Sequence, residues 1–125
     1  MNKILLVDDH QTNLMILEVV LEGIYETLSC QTGQEALQIM EREAIDLVIT
    51  DLKMPGMDGF ELTQKIRQIR PKVPVIAISA HTGLLENFRE YKAGFDDFIA
   101  KPFSIENLKQ KVTRHLQKTT CQSHH

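Results

Sequence analysis

Ile4-Leu5-Leu6-Val7-Asp8-Asp9 sets four aliphatic residues directly against two carboxylates. A run this short and this apolar suits a strand buried on both faces, because an amphipathic helix would need a longer, periodic stripe. Four comparable runs follow: the weaker Tyr25 to Cys30, Leu47-Val48-Ile49, Val75-Ile76-Ala77-Ile78, and Phe95 to Ala100. Between and after them lie segments with helical spacing. Leu14, Leu17 and Leu21 form the first stripe. Ala36, Leu37, Met40 and Ala44 form the second, behind Thr32-x-x-Glu35, which reads as a capping box. Leu62, Ile66 and Ile69 precede the helix stop at Pro71, and Leu84, Phe88 and Tyr91 precede a capping Gly94. Ile105, Leu108, Val112 and Leu116 close the series, with Ser104 as N-cap. Five βα units in a row predict an α/β domain, one parallel sheet of five strands doubly wound by helices.

The bulk properties agree. At 125 residues the chain is one domain, long enough to bury a core without disulfides. With 42% apolar and 25% charged residues it is globular rather than disordered. A net charge of −3 argues against a nucleic-acid-binding stripe. No apolar run approaches the length of a membrane span, and the start of the chain does not read as a signal peptide. Cys30 and Cys121 form no disulfide framework, so a reducing, cytoplasmic setting is expected. The reading places a domain over residues 1–118 and a fraying polar tail over 119–125. The closing His124-His125 reads equally as native or as an added remnant.

Doubly wound sheets carry their sites outside the carboxyl ends of the strands. Asp8 and Asp9 follow the first strand, Asp51 ends the third, Ser79 ends the fourth, and Lys101-Pro102 follows the fifth. Each has a bland explanation: a helix cap for Asp8 or Asp9, a turn former for Asp51, a loop hydroxyl for Ser79, a solvated charge for Lys101. Their joint placement on one sheet edge is what argues for a site. Three carboxylates held together repel one another unless a cation intervenes. Oxygen donors without Cys or His favour Mg²⁺ over zinc. The charges then sum to zero: −3 from the carboxylates, +2 from the metal, +1 from Lys101. A carboxylate so placed can act as a nucleophile and form an aspartyl phosphate.

These residues resemble the receiver domains of two-component response regulators over about residues 3 to 117. The motifs carrying the resemblance are Ile4 to Asp9, Asp51-Leu52-Lys53-Met54-Pro55-Gly56-Met57-Asp58-Gly59, Val75 to Ala80, and Gly94-Phe95-Asp96-Asp97-Phe98-Ile99-Ala100-Lys101-Pro102. The resemblance implies a flavodoxin-like strand order 2-1-3-4-5. It implies a phosphoacceptor at Asp51 and Mg²⁺ bound by Asp8, Asp9, Asp51 and the backbone carbonyl of Lys53. Ser79 would be the switch hydroxyl, Lys101 the cation on the phosphoryl group, and Phe98 the switch aromatic, moving inward. The Lys101–Pro102 bond would be cis. Lys53 and His81 would tune phosphoryl lifetime. The output surface would comprise the fourth and fifth helices with the fifth strand, around residues 84–91 and 95–103.

The implied function is a phosphoryl-accepting switch in a phosphorelay. It catalyses its own phosphorylation and dephosphorylation and is not a conventional enzyme. Its partner would be a sensor histidine kinase or a histidine phosphotransfer domain, with no nucleic-acid binding and no membrane insertion. Asp8-Asp9-His10-Gln11-Thr12-Asn13 and Ser79-Ala80-His81 resemble receivers of hybrid kinases. The chain has no room for an output domain, so it is either a stand-alone receiver or a piece of a longer chain. The alternative is a receiver-like docking module that works without phosphorylation. A phosphatase using an aspartyl phosphate would need a second Asp two residues after the nucleophile, where Lys53 stands. No G-x-G-x-x-G or G-x-x-x-x-G-K supports a nucleotide binder.

Overall fold

The computed structural model describes residues 1–80 and 94–123, with side chains as far as Gln117. Five strands run β1 (Lys3–Val7), β2 (Glu26–Cys30), β3 (Leu47–Asp51), β4 (Val75–Ser79) and β5 (Asp97–Ala100). Four helices are described: α1 (Gln11–Leu21), α2 (Gly33–Arg42), α3 (Gly59–Ile69) and α4 (Ile105–Ser123). The segment expected to be helical around Leu84, Phe88 and Tyr91 lies outside the described residues, as do His81, His124 and His125.

All pairings are parallel and the sheet order is β2-β1-β3-β4-β5, as the resemblance implied. Alternation along β1 assigns its two faces. Leu5 and Val7 pack with Ala36, Met40, Leu62 and Ile66 of α2 and α3. Ile4 and Leu6 pack with Leu14, Leu17 and Leu21 of α1 and Leu108, Val112 and Leu116 of α4. Each fully buried Leu or Ile contributes about 1.5–3 kcal/mol as an upper estimate. The chain leaves β1 for β2 on one side and returns to β3 on the other. The connections after β1 and β3 therefore diverge, and the crevice between them opens at the carboxyl edge.

Helix starts follow their caps. Thr32 Oγ1 accepts from the Glu35 N–H at 3.1 Å and donates to the Glu35 carboxylate at 3.2 Å. Ser104 Oγ accepts from the Asn107 N–H at 3.0 Å. Asp58, not singled out from sequence, caps α3 through the Glu61 N–H at 2.9 Å. Gly94 has φ +94°, a conformation that favours glycine.

Several expectations are corrected. β2 is not buried on both faces: it pairs only with β1, and its outer residues are exposed because it is the sheet edge. Ala44 is exposed beyond the end of α2, and Ile45 is buried in its place. Ile69 and Ile105 sit at helix ends that clear the sheet, 39% and 54% exposed. The backbone of α4 is helical through Ser123, past the start of the polar stretch at Lys118.

Candidate functional site

Asp8 is held through its backbone and through three donors to its carboxylate. The Asp8 N–H donates to the Cys30 carbonyl at 3.2 Å, tying the end of β1 to β2. Asp8 Oδ1 accepts from the His10 N–H at 2.9 Å, and Oδ2 accepts from Asn13 Nδ2 at 3.2 Å and Lys101 Nζ at 3.4 Å. Neither Asp8 nor Asp9 caps α1: its N-cap is His10, whose side chain makes no capping bond. The dull reading of Asp8 and Asp9 thus fails for a geometric reason, the carboxylates being turned toward the crevice.

Asp51 ends β3, paired in register with Ile78 of β4. Its Oδ1 accepts from the Lys53 N–H at 3.3 Å, and Lys101 Nζ lies 3.8 Å from its Oδ2. Behind it, the Gly59 N–H donates to the Leu52 carbonyl at 2.9 Å, and a side chain at position 59 would strike the Asp51 backbone. Ser79, buried at the end of β4, accepts the Lys101 N–H on its carbonyl at 2.9 Å. That bond fixes the start of the β5–α4 connection, where the Lys101–Pro102 bond is cis, as expected. Phe98 is buried at 7% exposure in the cluster shared with α2 and α3. An open pocket of about 430 Å³ spans His10, Asn13, Asp51, Lys53 and Lys101. The structure therefore joins Asp8, Asp9, Asp51 and Lys101, puts Lys53 on the rim, and keeps Ser79 and Phe98 on the neighbouring strands.

Burial pushes the Asp51 carboxyl above its ordinary value; the Lys101 charge opposes the shift, the Asp8 charge adds to it, and the Lys53 and Leu52 N–H groups lower it. A ligand atom from each of Asp8, Asp9, His10 and Asp51 falls within 4.8 Å of the others. Asp9 Oδ1 is buried and accepts no hydrogen bond among the described residues. A buried carboxylate oxygen without a donor is costly, and a cation relieves that cost. Hard oxygen donors and an orphaned oxygen fit a divalent metal. His10 and Asn13 were not taken as site residues from sequence. The Asp8-Asp9-x-x-x-Asn13 spacing is the signal for Asn13, which reaches back to Asp8 from the first turn of α1, and His10 stands just before that turn as N-cap.

The response regulator receiver domain family matches residues 4–113. The chain belongs to this family. Among curated proteins, the receiver is 37% identical over 110 residues to the sensor histidine kinase RcsC of Salmonella typhi, covering 87% of this chain and 12% of that protein. It is 35% identical over 118 residues to the sensor histidine kinase GacS of Pseudomonas protegens, covering 90% and 13%. The receiver thus spans about an eighth of the length of these relatives. Among solved structures, a CheY-like receiver domain protein of Methanospirillum hungatei superposes with a TM-score of 0.90 at 30% identity, covering 98% of both chains. The receiver domain of a signal transduction histidine kinase from Syntrophus aciditrophicus gives 0.86 at 31%, covering 94% of this chain and 92% of that one. No described helix of the receiver is long and apolar enough to cross a membrane.

Proposed function

We propose that Asp51 accepts a phosphoryl group from a phosphohistidine of a sensor histidine kinase or histidine phosphotransfer domain. The observation that carries this reading is the convergence of Lys101 Nζ on Asp8 and Asp51, 3.4 and 3.8 Å away, at the mouth of the crevice. Asp51 Oδ attacks phosphorus in line, an O–P bond forms, and the N–P bond to the donor imidazole breaks. Lys101 is placed to shift from its carboxylate partners to an equatorial phosphoryl oxygen. Asp8, Asp9, Asp51 and the Lys53 carbonyl would hold Mg²⁺, which supplies the positive charge that lets a dianion approach three carboxylates. Hydrolysis by water, which attacks phosphorus, breaks the Asp51 O–P bond, releases inorganic phosphate and returns Asp51 to the carboxylate, with Lys53 at the rim and His81 as the groups that set its rate.

The donor has to dock beside this pocket. Met15, Ile16 and Val19 of α1 are 57%, 48% and 69% exposed, and Ile16 borders an apolar cleft reaching Pro102 and Phe103. Exposed apolar patches of this kind mark protein contact surfaces. The likeness to RcsC and GacS supports a kinase as the partner. For output, Ser79 is drawn to the phosphoryl oxygens, and the inward Phe98 arrangement gains population. The surface around residues 95–103 carries that change; residues 84–91, expected to share it, lie outside the described residues.

Intact-mass spectrometry after incubation with acetyl phosphate tests the reading. The parent gains one phosphoryl group with Mg²⁺ present, and neither Asp51→Asn nor the parent in chelator does. Equal labelling of Asp51→Asn refutes the acceptor. No labelling of the parent under any divalent metal leaves the receiver-like docking module in its place.

A further inference from the structure

Asp8 Oδ2 carries two donors at once. Asn13 Nδ2 reaches it from the first turn of α1 at 3.2 Å, and Lys101 Nζ reaches it from the end of β5 at 3.4 Å. Asp8 is 3% exposed, so bulk water has little access to that oxygen. Its other oxygen is taken by the backbone, accepting from the His10 N–H at 2.9 Å. Asn13 lies on the wall between the acceptor pocket and the apolar cleft beside Ile16, and lines both. An asparagine near a helix start ordinarily bonds neighbouring backbone, whereas the Asn13 amide is aimed at a side-chain carboxylate five residues back.

Only one of the two donors has somewhere else to go. Lys101 Nζ also lies 3.8 Å from Asp51 Oδ2, and under the preceding reading it passes to an equatorial phosphoryl oxygen as the O–P bond forms. Asp8 Oδ2 then loses its lysine, and Asn13 is the side-chain donor left to it among the described residues. A buried carboxylate oxygen stripped of donors is costly. We propose that Asn13 is a positioning residue for phosphoryl transfer, its amide holding Asp8 Oδ2 while Lys101 is engaged with the phosphoryl group. The proposal rests on the Lys101 step of the preceding reading and adds the residue that eases that step. In the resting site the amide is one donor of two and largely redundant; in the reacting site it has no substitute. An interaction speeds a reaction only to the extent that it strengthens between those two states. The effect of Asn13 therefore falls on the rate and not on assembly of the resting pocket.

The ordinary alternative is a structural amide that props Asp8 equally in both states. The full chain is compared with Asn13→Leu, close in size and without a donor, and with Asn13→Gln, which keeps the carboxamide. Calorimetry without phosphodonor measures Mg²⁺ affinity. Intact-mass spectrometry at saturating Mg²⁺ and acetyl phosphate measures the rate of Asp51 phosphorylation. Asn13→Leu should leave Mg²⁺ affinity within about twofold of the parent and slow phosphorylation about tenfold or more. Asn13→Gln should recover most of that rate. An unchanged rate in Asn13→Leu overturns the proposal, as does an Asn13→Gln variant that is equally slow. A loss of Mg²⁺ affinity as large as the loss of rate also overturns it, because that is what the structural amide predicts. No labelling of the parent would instead overturn the acceptor reading, and the proposal with it, so the parent tells the two failures apart.

Discussion

Gly59→Ala puts the support of Asp51, the proposed acceptor, under direct test. A Cβ at position 59 would lie 2.4 Å from the Asp51 carbonyl oxygen and 2.9 Å from Leu52 Cα. Ordinary contact begins near 3.4 Å, so α3 and the end of β3 must separate by about 1 Å. Both sides of the clash are backbone, and no rotamer change relieves it. Overpacking costs about 1–3 kcal/mol, and stretching the Gly59 N–H bond to the Leu52 carbonyl costs part of a further 0.5–1.5 kcal/mol or so. Alanine returns at most about 1 kcal/mol of helix propensity, less at the first helical position. The expected net loss is about 2 kcal/mol, or about 6–10 °C in Tm for a domain of this size. Gly33→Ala is the matched control. It also opens a helix, but its Cβ would meet Met57 Sδ at 2.6 Å, the end of a flexible side chain. It should cost less than about 1 kcal/mol. Urea denaturation followed by circular dichroism reads both, with m unchanged. Displacement of Asp51 should also slow its phosphorylation about tenfold or more. A Gly59→Ala variant as stable as the parent, or a Gly33→Ala variant equally destabilised, would refute the reasoning.

Burial opposes ionisation of Asp97, but hydrogen bonds from His115, the Phe98 N–H and Lys111 outweigh it and hold the carboxyl below its ordinary value. Its stabilisation is present above the unfolded pKa and is lost as pH falls through the folded one. Asp97→Asn should therefore cost about 1.5–3 kcal/mol near neutrality and progressively less in acid; a penalty independent of pH would contradict this. Asp51 runs the other way, because burial raises its carboxyl and so its charge weakens the metal-free fold as pH rises above the unfolded pKa. Asp51→Asn should be more stable than the parent at neutral pH in chelator, with the gain vanishing in acid and shrinking or reversing in saturating Mg²⁺; denaturation curves under the three conditions decide it. The Cys30 thiol is pushed up to about 12, chiefly by burial. Peptide mapping should find it unmodified by iodoacetamide in the folded chain and modified after unfolding.

Sequence pattern alone reaches only near neighbours along the chain. Four of the five apolar runs end beside a candidate group, so Asp8, Asp9, Asp51, Ser79 and Lys101 were legible as strand-end groups from short-range pattern and resemblance. The alternation of runs and stripes also settled the sheet and its two layers, because burial period is written into a few neighbouring residues. Other features needed the tertiary structure because they depend on which strands become neighbours. Lys101 reaches Asp8 across 93 residues of chain. Gly59 backs Asp51 only because α3 starts against the end of β3. β2 is half exposed only because β1 is its sole partner in the sheet. Ile69 and Ile105 fit their helical stripes yet stand exposed, since a stripe gives the face of a helix and not where the sheet beneath it ends. His10 is the sharpest case. In sequence it is the residue between a carboxylate pair and a helix, and only the fold of that turn directs its nitrogen to the two oxygens beside it.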